Sequence, residues 1–127
     1  MFSYSFGVSF NLNDNSKKAY IGLGSSEPQY PMISYLSQYN SISAADEVIE
    51  ELSAVISGEK EFWGWGTDFC SIISYKKNSL IEHHINPQNG EWSLEPDFQI
   101  NIPTAWLLQM FKDWRIFLKN NPIELYS

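Results

Sequence analysis

Apolar and polar residues alternate along the start of the chain. Residues 2–12, FSYSFGVSFNL, place an apolar side chain at every second position. A period of two over this length predicts a β-strand with one buried face and one wet face. The following NDNSKK favours a turn. AYIGLG, at residues 19–24, can pair back as a second, shorter strand, whose end is weakened by two glycines.

A helical period replaces this alternation at residues 43–57. Ser43 can cap the helix, with Asp46 three residues later as in a capping box, and Gly58 suits its end. The preceding residues 25–43 contain two prolines and many serines, so they fit either one or two helical turns or an irregular segment. The apolar stripe of the helix consists of Val48, Ile49, Leu52, Val55 and Ile56.

A hairpin is predicted next, from residues 67–75 and 80–85 around the turn KKNS, with Tyr75 facing Leu80. Both of its faces are partly apolar, which predicts a position inside the sheet rather than at its edge. One face carries Cys70, Ile72, Ile81 and Ile85, and the other carries Phe69, Ile73, Tyr75 and Leu80.

The remaining sequence predicts two more strands and a final helix. NPQNG is a strong turn, and residues 92–94 and 98–102 would continue the meander with a break or bulge at Pro96. The helix begins near Pro103 and Thr104, since proline is tolerated in a first turn, and it stops at Asn120 and Pro122. Its buried stripe is Leu107, Phe111, Trp114 and Leu118.

These elements predict an α+β fold, with an antiparallel sheet of about five to six strands and two main helices. No linker divides residues 1–127, so we expect a single domain. The chain is 43% hydrophobic and 16% aromatic, which is enough to fill a core. It has no signal-peptide pattern at its start and no apolar run of the ~20 residues that span a bilayer. We expect it to be cytoplasmic.

The net charge of −7 narrows the class of partner. Nucleic acids and anionic membranes attract clustered lysine and arginine, so neither is an expected partner. A basic protein is the natural partner of an acidic one, because opposite charge speeds encounter. The charge could equally serve solubility alone.

No residue pattern in the sequence predicts catalysis, a metal or a cofactor. Cys70 is the single cysteine, which excludes an internal disulfide. His83 and His84 are adjacent and point to opposite faces of a strand, so they cannot hold one metal together. Cys70 with His83, roughly diagonal on one face, or Ser71 opposite His84 would also need a cleft and an orienting group to act as a nucleophile pair. We therefore expect a protein that is not an enzyme.

Charge and aromatic residues suggest one candidate binding surface. Seven acidic residues and only one lysine, Lys60, lie between residues 41 and 75, and EFWGWGTDF in the same segment contains two Trp-Gly pairs. Acidic groups around an aromatic anchor suit the binding of a basic protein. The alternatives are a solvated helix face and tryptophans packed in a corner of the core, one of them partly exposed. The acidic–aromatic surface consists of Asp46, Glu47, Glu50, Glu51, Glu59, Glu61, Trp63, Trp65 and Asp68.

A small acidic α+β domain that ends in IPTAWLLQMFKDWRIFLKNNP resembles immunity proteins of bacterial toxin–immunity systems, including those of contact-dependent growth inhibition. The segment at residues 102–118, with Trp114 and Phe117, and the WGWGTDF stretch carry the resemblance. It implies that the chain binds a cognate toxin domain in the cytoplasm and blocks its active site or substrate surface. Many such toxins are nucleases with basic substrate surfaces.

Two other classes of function remain open at this point. One is an adaptor or subunit that binds some other protein through any part of its surface. The other is a small-ligand binder, or an unrecognised enzyme, that uses the sheet face near Cys70, His83 and His84.

Overall fold

The computed structural model describes residues 4–23, 35–85, 88–96 and 98–121. The expected α+β fold, with about five to six antiparallel strands and two main helices, is confirmed; among the described residues there are six strands, which form one sheet of two and one of four rather than a single sheet. In chain order the elements are β1 (Tyr4–Asn11), β2 (Ser16–Leu23), a 3₁₀ turn (Tyr35–Gln38), α1 (Ile42–Ser57), β3 (Phe62–Gly66), β4 (Cys70–Tyr75), β5 (Asn78–His83), β6 (Phe98–Pro103) and α2 (Thr104–Asn120).

The β1–β2 hairpin confirms the first predicted strand but only part of its buried face. Phe6 contacts the rings of Trp114 and Phe117 on α2. Farther along the same face the side chains leave the core: Phe10 is 49% exposed, and Leu12, in the turn, is 83% exposed. The alternation of apolar and polar residues therefore identified the strand correctly. How much of the apolar face of β1 is buried depends on how much of it packs against α2.

The N-cap of helix α1 lies two residues before the predicted cap. Ser41 has an extended backbone and its hydroxyl accepts a hydrogen bond from the backbone N–H of Ala44 at 3.0 Å, which is the N-cap geometry. Ser43 lies inside the first turn, so its predicted role as cap is wrong. Gly58 ends the helix with φ of 90°, as expected from its sequence position. Of the predicted stripe, Val48, Leu52 and Val55 are buried, and Ile49 and Ile56 are partly buried.

Two boundaries in the predicted meander are corrected. The sequence analysis assigned no strand to residues 62–66, but these residues form the separate strand β3. A tight connection, in which the Thr67 N–H donates to the Cys70 carbonyl at 2.9 Å, delays the start of β4 to Cys70. Conversely, residues 92–94 are not a strand, and only an isolated bridge joins Trp92 to Ile85.

The β4–β5 hairpin is central in the order β3-β4-β5-β6, as its two apolar faces predicted. Its register pairs Ile73 with Leu80, so the predicted pairing of Tyr75 with Leu80 is wrong by two residues. The turn is shorter than expected and contains only Lys76 and Lys77 between the strands. Because side chains alternate with a period of two, a shift of two leaves every side chain on its predicted face.

The helices share one face of the four-stranded sheet. Helix α1 contacts β3 and β4, α2 contacts β5 and β6, and the two helices pack against each other. The β1–β2 hairpin contacts α2, and its Ile21 joins the same hydrophobic core as Leu52 and Ile72. The predicted α2 stripe is confirmed, because Leu107, Phe111, Trp114 and Leu118 are all buried. Within the described ranges, neither helix has the length and apolarity needed to cross a membrane.

Candidate functional site

Trp63 and Trp65 lie on the inward face of β3, next to the open edge of the sheet. Two positions apart on a strand, they share a face, and their rings stack with centroids 4.8 Å apart and an interplanar angle of 11°. Both side chains are partly buried against the core, where Trp65 meets Phe111 edge-on at 5.8 Å. The expectation of one core and one partly exposed tryptophan is therefore replaced by a stacked pair at the margin of the core.

Trp65 is fixed by a buried hydroxyl network that the sequence reasoning missed. Its indole Nε1 donates to Ser74 Oγ at 3.0 Å, and Ser79 Oγ lies 2.7 Å from Ser74 Oγ. Ser79 also lies 2.9 Å from Thr104 Oγ1, which donates to the Tyr75 carbonyl at 2.6 Å. Buried hydroxyls need such partners. The sequence contained one sign of this network: Ser74 and Ser79 occupy inward-facing positions on two strands that were predicted to pair.

The acidic side chains of the acidic–aromatic surface are only partly gathered together. Glu50, Glu51 and Glu59 line one shallow depression with Lys60, where α1 ends and the chain turns into β3. Glu61 is exposed immediately before the strand. Asp46 and Glu47 lie in the first turns of α1, and Asp68 follows the far end of β3.

Two of these acids already have cationic partners within the chain. Asp46 forms an ion pair with Arg115 of α2, and Glu51 forms one with Lys60. Among the described residues, no cation lies within ion-pair distance of Glu47, Glu50, Glu59, Glu61 or Asp68, and all five are exposed. The charge that a partner would meet is therefore concentrated on these five positions.

Tyr39 connects the start of α1 with the far end of β3. Its hydroxyl donates to the Gly66 carbonyl at 2.5 Å, and its ring meets Trp65 edge-on at 5.6 Å. Burial raises the pKa of Tyr39, and the nearby carboxylate of Glu47 adds to this change. Glu47 therefore acts electrostatically on the same end of β3 that Asp68 follows.

Cys70 and His83 are direct cross-strand partners rather than diagonal neighbours, because of the corrected register. Both are buried, and the Tyr35 ring stacks on His83 at 5.6 Å. This is the packing of a small cysteine and a strand histidine in a core. In the part of the chain that the structure describes, no group of three or more His, Cys, Asp or Glu residues is placed to hold a metal ion.

Ser71 and His84 do meet on the outer side of the sheet. Ser71 Oγ lies 2.9 Å from His84 Nε2, and His84 Nδ1 lies 3.0 Å from the Ser93 carbonyl. A proton on Nδ1 would leave Nε2 as the acceptor for the serine hydroxyl, which is the arrangement of a nucleophile with its base. Trp92 stacks on the imidazole at 5.6 Å. Ser71 is exposed on an open strand face, whereas acyl transfer also needs donors for the oxyanion.

Comparisons of the chain with protein-family models, with curated proteins and with solved structures found no match. The assignment of a function therefore depends on the geometry and charge of the residues described above.

Proposed function

We propose that this chain is an immunity protein that binds a cognate basic toxin domain in the cytoplasm and neutralises it. The observation that carries the proposal is the position of the exposed acids around β3: Glu50 and Glu59 line the depression beside its start, and Asp68 follows its end. The stacked tryptophans lie between them. The resemblance of the α+β plan and of the last helix to immunity proteins supports the same function.

The proposed partner is a nuclease domain, because a nuclease must carry a basic surface to hold its substrate phosphates. Exposed carboxylates can occupy that surface and exclude the nucleic acid. At the rim of such an interface they would mainly accelerate association. A partly buried tryptophan supplies the apolar contact area that slows dissociation. The proposal involves no cofactor, metal, nucleic acid or membrane on the side of this chain.

Co-expression with the protein encoded immediately upstream tests the proposal. We expect the two proteins to co-purify, and we expect cells that produce the upstream protein to survive only when this chain is also produced. Co-purification that is abolished by high salt in a Trp63→Ala variant, but not in the wild type, would support a joint charge and aromatic contact. Survival that is independent of this chain would contradict the proposal.

The Ser71–His84–Ser93 arrangement favours a second candidate, a serine hydrolase. A fluorophosphonate probe tests it, because such probes label an activated serine covalently. We expect no labelling of the wild type beyond that of a Ser71→Ala variant. Labelling that disappears in both Ser71→Ala and His84→Ala would instead establish a reactive serine and contradict the non-enzymatic function.

A further inference from the structure

The hydrogen-bond pattern of the four-stranded sheet leaves specific backbone groups of β3 directed outward. Thr67 and Cys70 form a hydrogen-bonded pair, and in an antiparallel ladder such pairs alternate with non-bonded ones. Trp65 and Trp63 are therefore bonded to β4. It follows that Phe62, Gly64 and Gly66 turn their N–H and C=O groups away from it.

The hydrogen bond from Tyr39 agrees with this assignment, because the Gly66 carbonyl accepts from the Tyr39 hydroxyl, as a carbonyl outside the β3–β4 ladder is free to do. The remaining outward groups belong to Phe62 and Gly64. Among the described residues, no strand pairs with this edge of β3. Sheet edges in soluble proteins are commonly protected by lysine, proline or a bulge, and β3, with the sequence FWGWG, contains neither lysine nor proline.

The space beside Gly64 is open. A Cβ built on Gly64 would meet nothing within 4 Å, and the Phe62 side chain on the same outer face is 56% exposed. Because the Cβ of a strand residue projects from the face of the sheet, this open space lies over the outer face at Gly64, and a small side chain there would not enter the strand edge. The edge from Phe62 to Gly64, beyond which Tyr39 occupies the Gly66 carbonyl, offers about 10 Å at ~3.3 Å per residue, which fits the central residues of one short extended segment.

The charges at the two ends of β3 indicate what the extended segment would carry. Glu59 and Glu61 precede the strand, Asp68 follows it, and all three are exposed. Lysine or arginine near both ends of an added strand would lie close to these carboxylates. A second copy of this chain fits less well, because it would bring together two molecules of net charge −7 along an edge with acids at both ends.

We propose that the open edge of β3 binds an extended segment of a partner protein by strand addition, with apolar or β-branched residues at the centre of the segment and basic residues at its ends. This inference rests on the proposed function in that it places the partner's contact within the acidic–aromatic surface. It adds the mode of recognition: main-chain hydrogen bonds to Phe62 and Gly64 give affinity, and the flanking carboxylates select basic sequences.

Two substitutions at one position form the central test. In Gly64→Pro the outward N–H is removed and the ring projects toward the incoming strand, while the ladder to β4 is unaffected because Gly64 does not donate to it. Gly64→Ala keeps the N–H and adds a methyl group in open space. The probe is the synthetic peptide Lys-Arg-Val-Thr-Val-Arg-Lys, and its control replaces the four basic residues with glutamate.

We expect the basic peptide to bind the wild type and Gly64→Ala with affinities within roughly threefold of each other, and to bind Gly64→Pro roughly tenfold or more weakly, as the loss of a hydrogen bond and a steric block imply. The glutamate peptide should not bind. Hydrogen exchange on the wild type gives a second readout that does not depend on the folding of the proline variant. The basic peptide should slow exchange at the amides of Phe62 and Gly64.

Equal binding of the basic peptide to a folded Gly64→Pro and to the wild type would overturn strand addition, as would unchanged exchange at both amides in the presence of saturating peptide. The outcome also separates this inference from the proposed function. If the upstream protein binds Gly64→Pro as well as the wild type but loses affinity for Glu59→Lys with Glu61→Lys, strand addition fails and the immunity function stands. If the peptide binds at β3 and the upstream protein does not, the immunity function fails.

Discussion

Trp114 is the largest fully buried side chain among the described residues. It is fully buried, contacts Phe6, and donates its Nε1 proton to the Tyr39 carbonyl at 2.7 Å. Trp114→Ala should therefore lower the free energy of unfolding by about 3–5 kcal/mol, measured by urea denaturation. Ile116 on the same helix is 57% exposed, and Ile116→Ala is the matched control, with a change of less than about 0.5 kcal/mol. Equal effects of the two variants would show that α2 presents a different face to the core.

Tyr4 makes the free energy of unfolding depend on pH in the alkaline range. Burial, together with the hydrogen bond to Asp113 and its charge, raises the pKa of Tyr4 from 10.0 to about 12. Below pH 10 the hydroxyl is neutral in both the folded and the unfolded state, so its stabilising contribution is complete. As the pH rises from 10 to 12, the unfolded state releases the proton first, and stability falls.

Tyr4→Phe should therefore show a shallower loss of unfolding free energy between pH 10 and 12 than the wild type does, in urea titrations at a series of pH values. Tyr39, whose pKa is also raised, is present in both proteins and contributes equally to both curves. Identical pH slopes for the two proteins would show that the Tyr4 hydroxyl is as easily ionised in the folded state as in the unfolded state.

At the scale of elements, substitutions at the start of α1 can show which of two serines, Ser41 or Ser43, is the N-cap. Ser41→Ala removes the acceptor of the Ala44 N–H and should cost about 1 kcal/mol of unfolding free energy. Ser43→Ala, inside the first turn, should be close to neutral, since alanine has the higher helix propensity. The two variants differ from the wild type by the same atom, so thermal or urea melts compare them directly. A greater loss in Ser43→Ala would move the helix start to the position that the sequence favoured.

The two glycines of β3 serve different purposes. A Cβ at Gly66 would collide with the Cys70 carbonyl oxygen at the tight connection into β4, whereas Gly64 has open space. Gly66→Ala should therefore lower the unfolding free energy by on the order of 1–3 kcal/mol. Gly64→Ala should leave it unchanged or raise it by a few tenths of a kcal/mol. Denaturation of both variants measures the difference, and a tolerated Gly66→Ala would mean that the connection relaxes without cost.

Elements with a long, regular period were predictable from sequence, and short ones were not. The alternation of β1 and the apolar stripes of the two helices extend over many residues, so a single period dominates each. Strand β3 has only five residues, and FWGWG fits a turn as well as a strand until its pairing with β4 is known. The β4–β5 register depended on the length of a turn whose sequence, KKNS, does not specify where the strands end.

At the scale of the whole molecule, the position of charge can be tested separately from its amount. Glu59→Lys with Glu61→Lys should slow association with the cognate partner and make it less dependent on salt, because rim charges act mainly on the association rate. Glu91→Lys with Glu95→Lys is the control. It changes the net charge by the same amount, but at residues between β5 and β6, at the end of the sheet opposite to Glu59 and Glu61. Stopped-flow or surface-binding kinetics at several salt concentrations would give both rates. Equal slowing by the two pairs would assign the effect to net charge alone.

The sequence identified the acidic segment and its tryptophans but not how they are held. The positions of residues along the sequence are enough to show that seven acidic residues lie near two tryptophans. They do not reveal that Asp46 pairs with Arg115, 69 positions away, or that Trp65 donates to Ser74, which Ser79 links to Thr104. Such contacts depend on which elements become neighbours in space. The acids that are exposed and without an ion pair among the described residues could be selected only from the folded chain.

The stacking of Trp63 on Trp65 has an optical consequence. The electronic transitions of two stacked indoles 4.8 Å apart couple, and where their transition dipoles are skewed to each other the coupling produces two bands of opposite sign in far-ultraviolet circular dichroism. The sign and size of this couplet depend on the angle and distance between the rings rather than on helix content. The protein therefore contains an intrinsic spectroscopic reporter within the segment EFWGWGTDF. A change of the couplet with an unchanged helical signal would register an event at the β3 edge without any attached label.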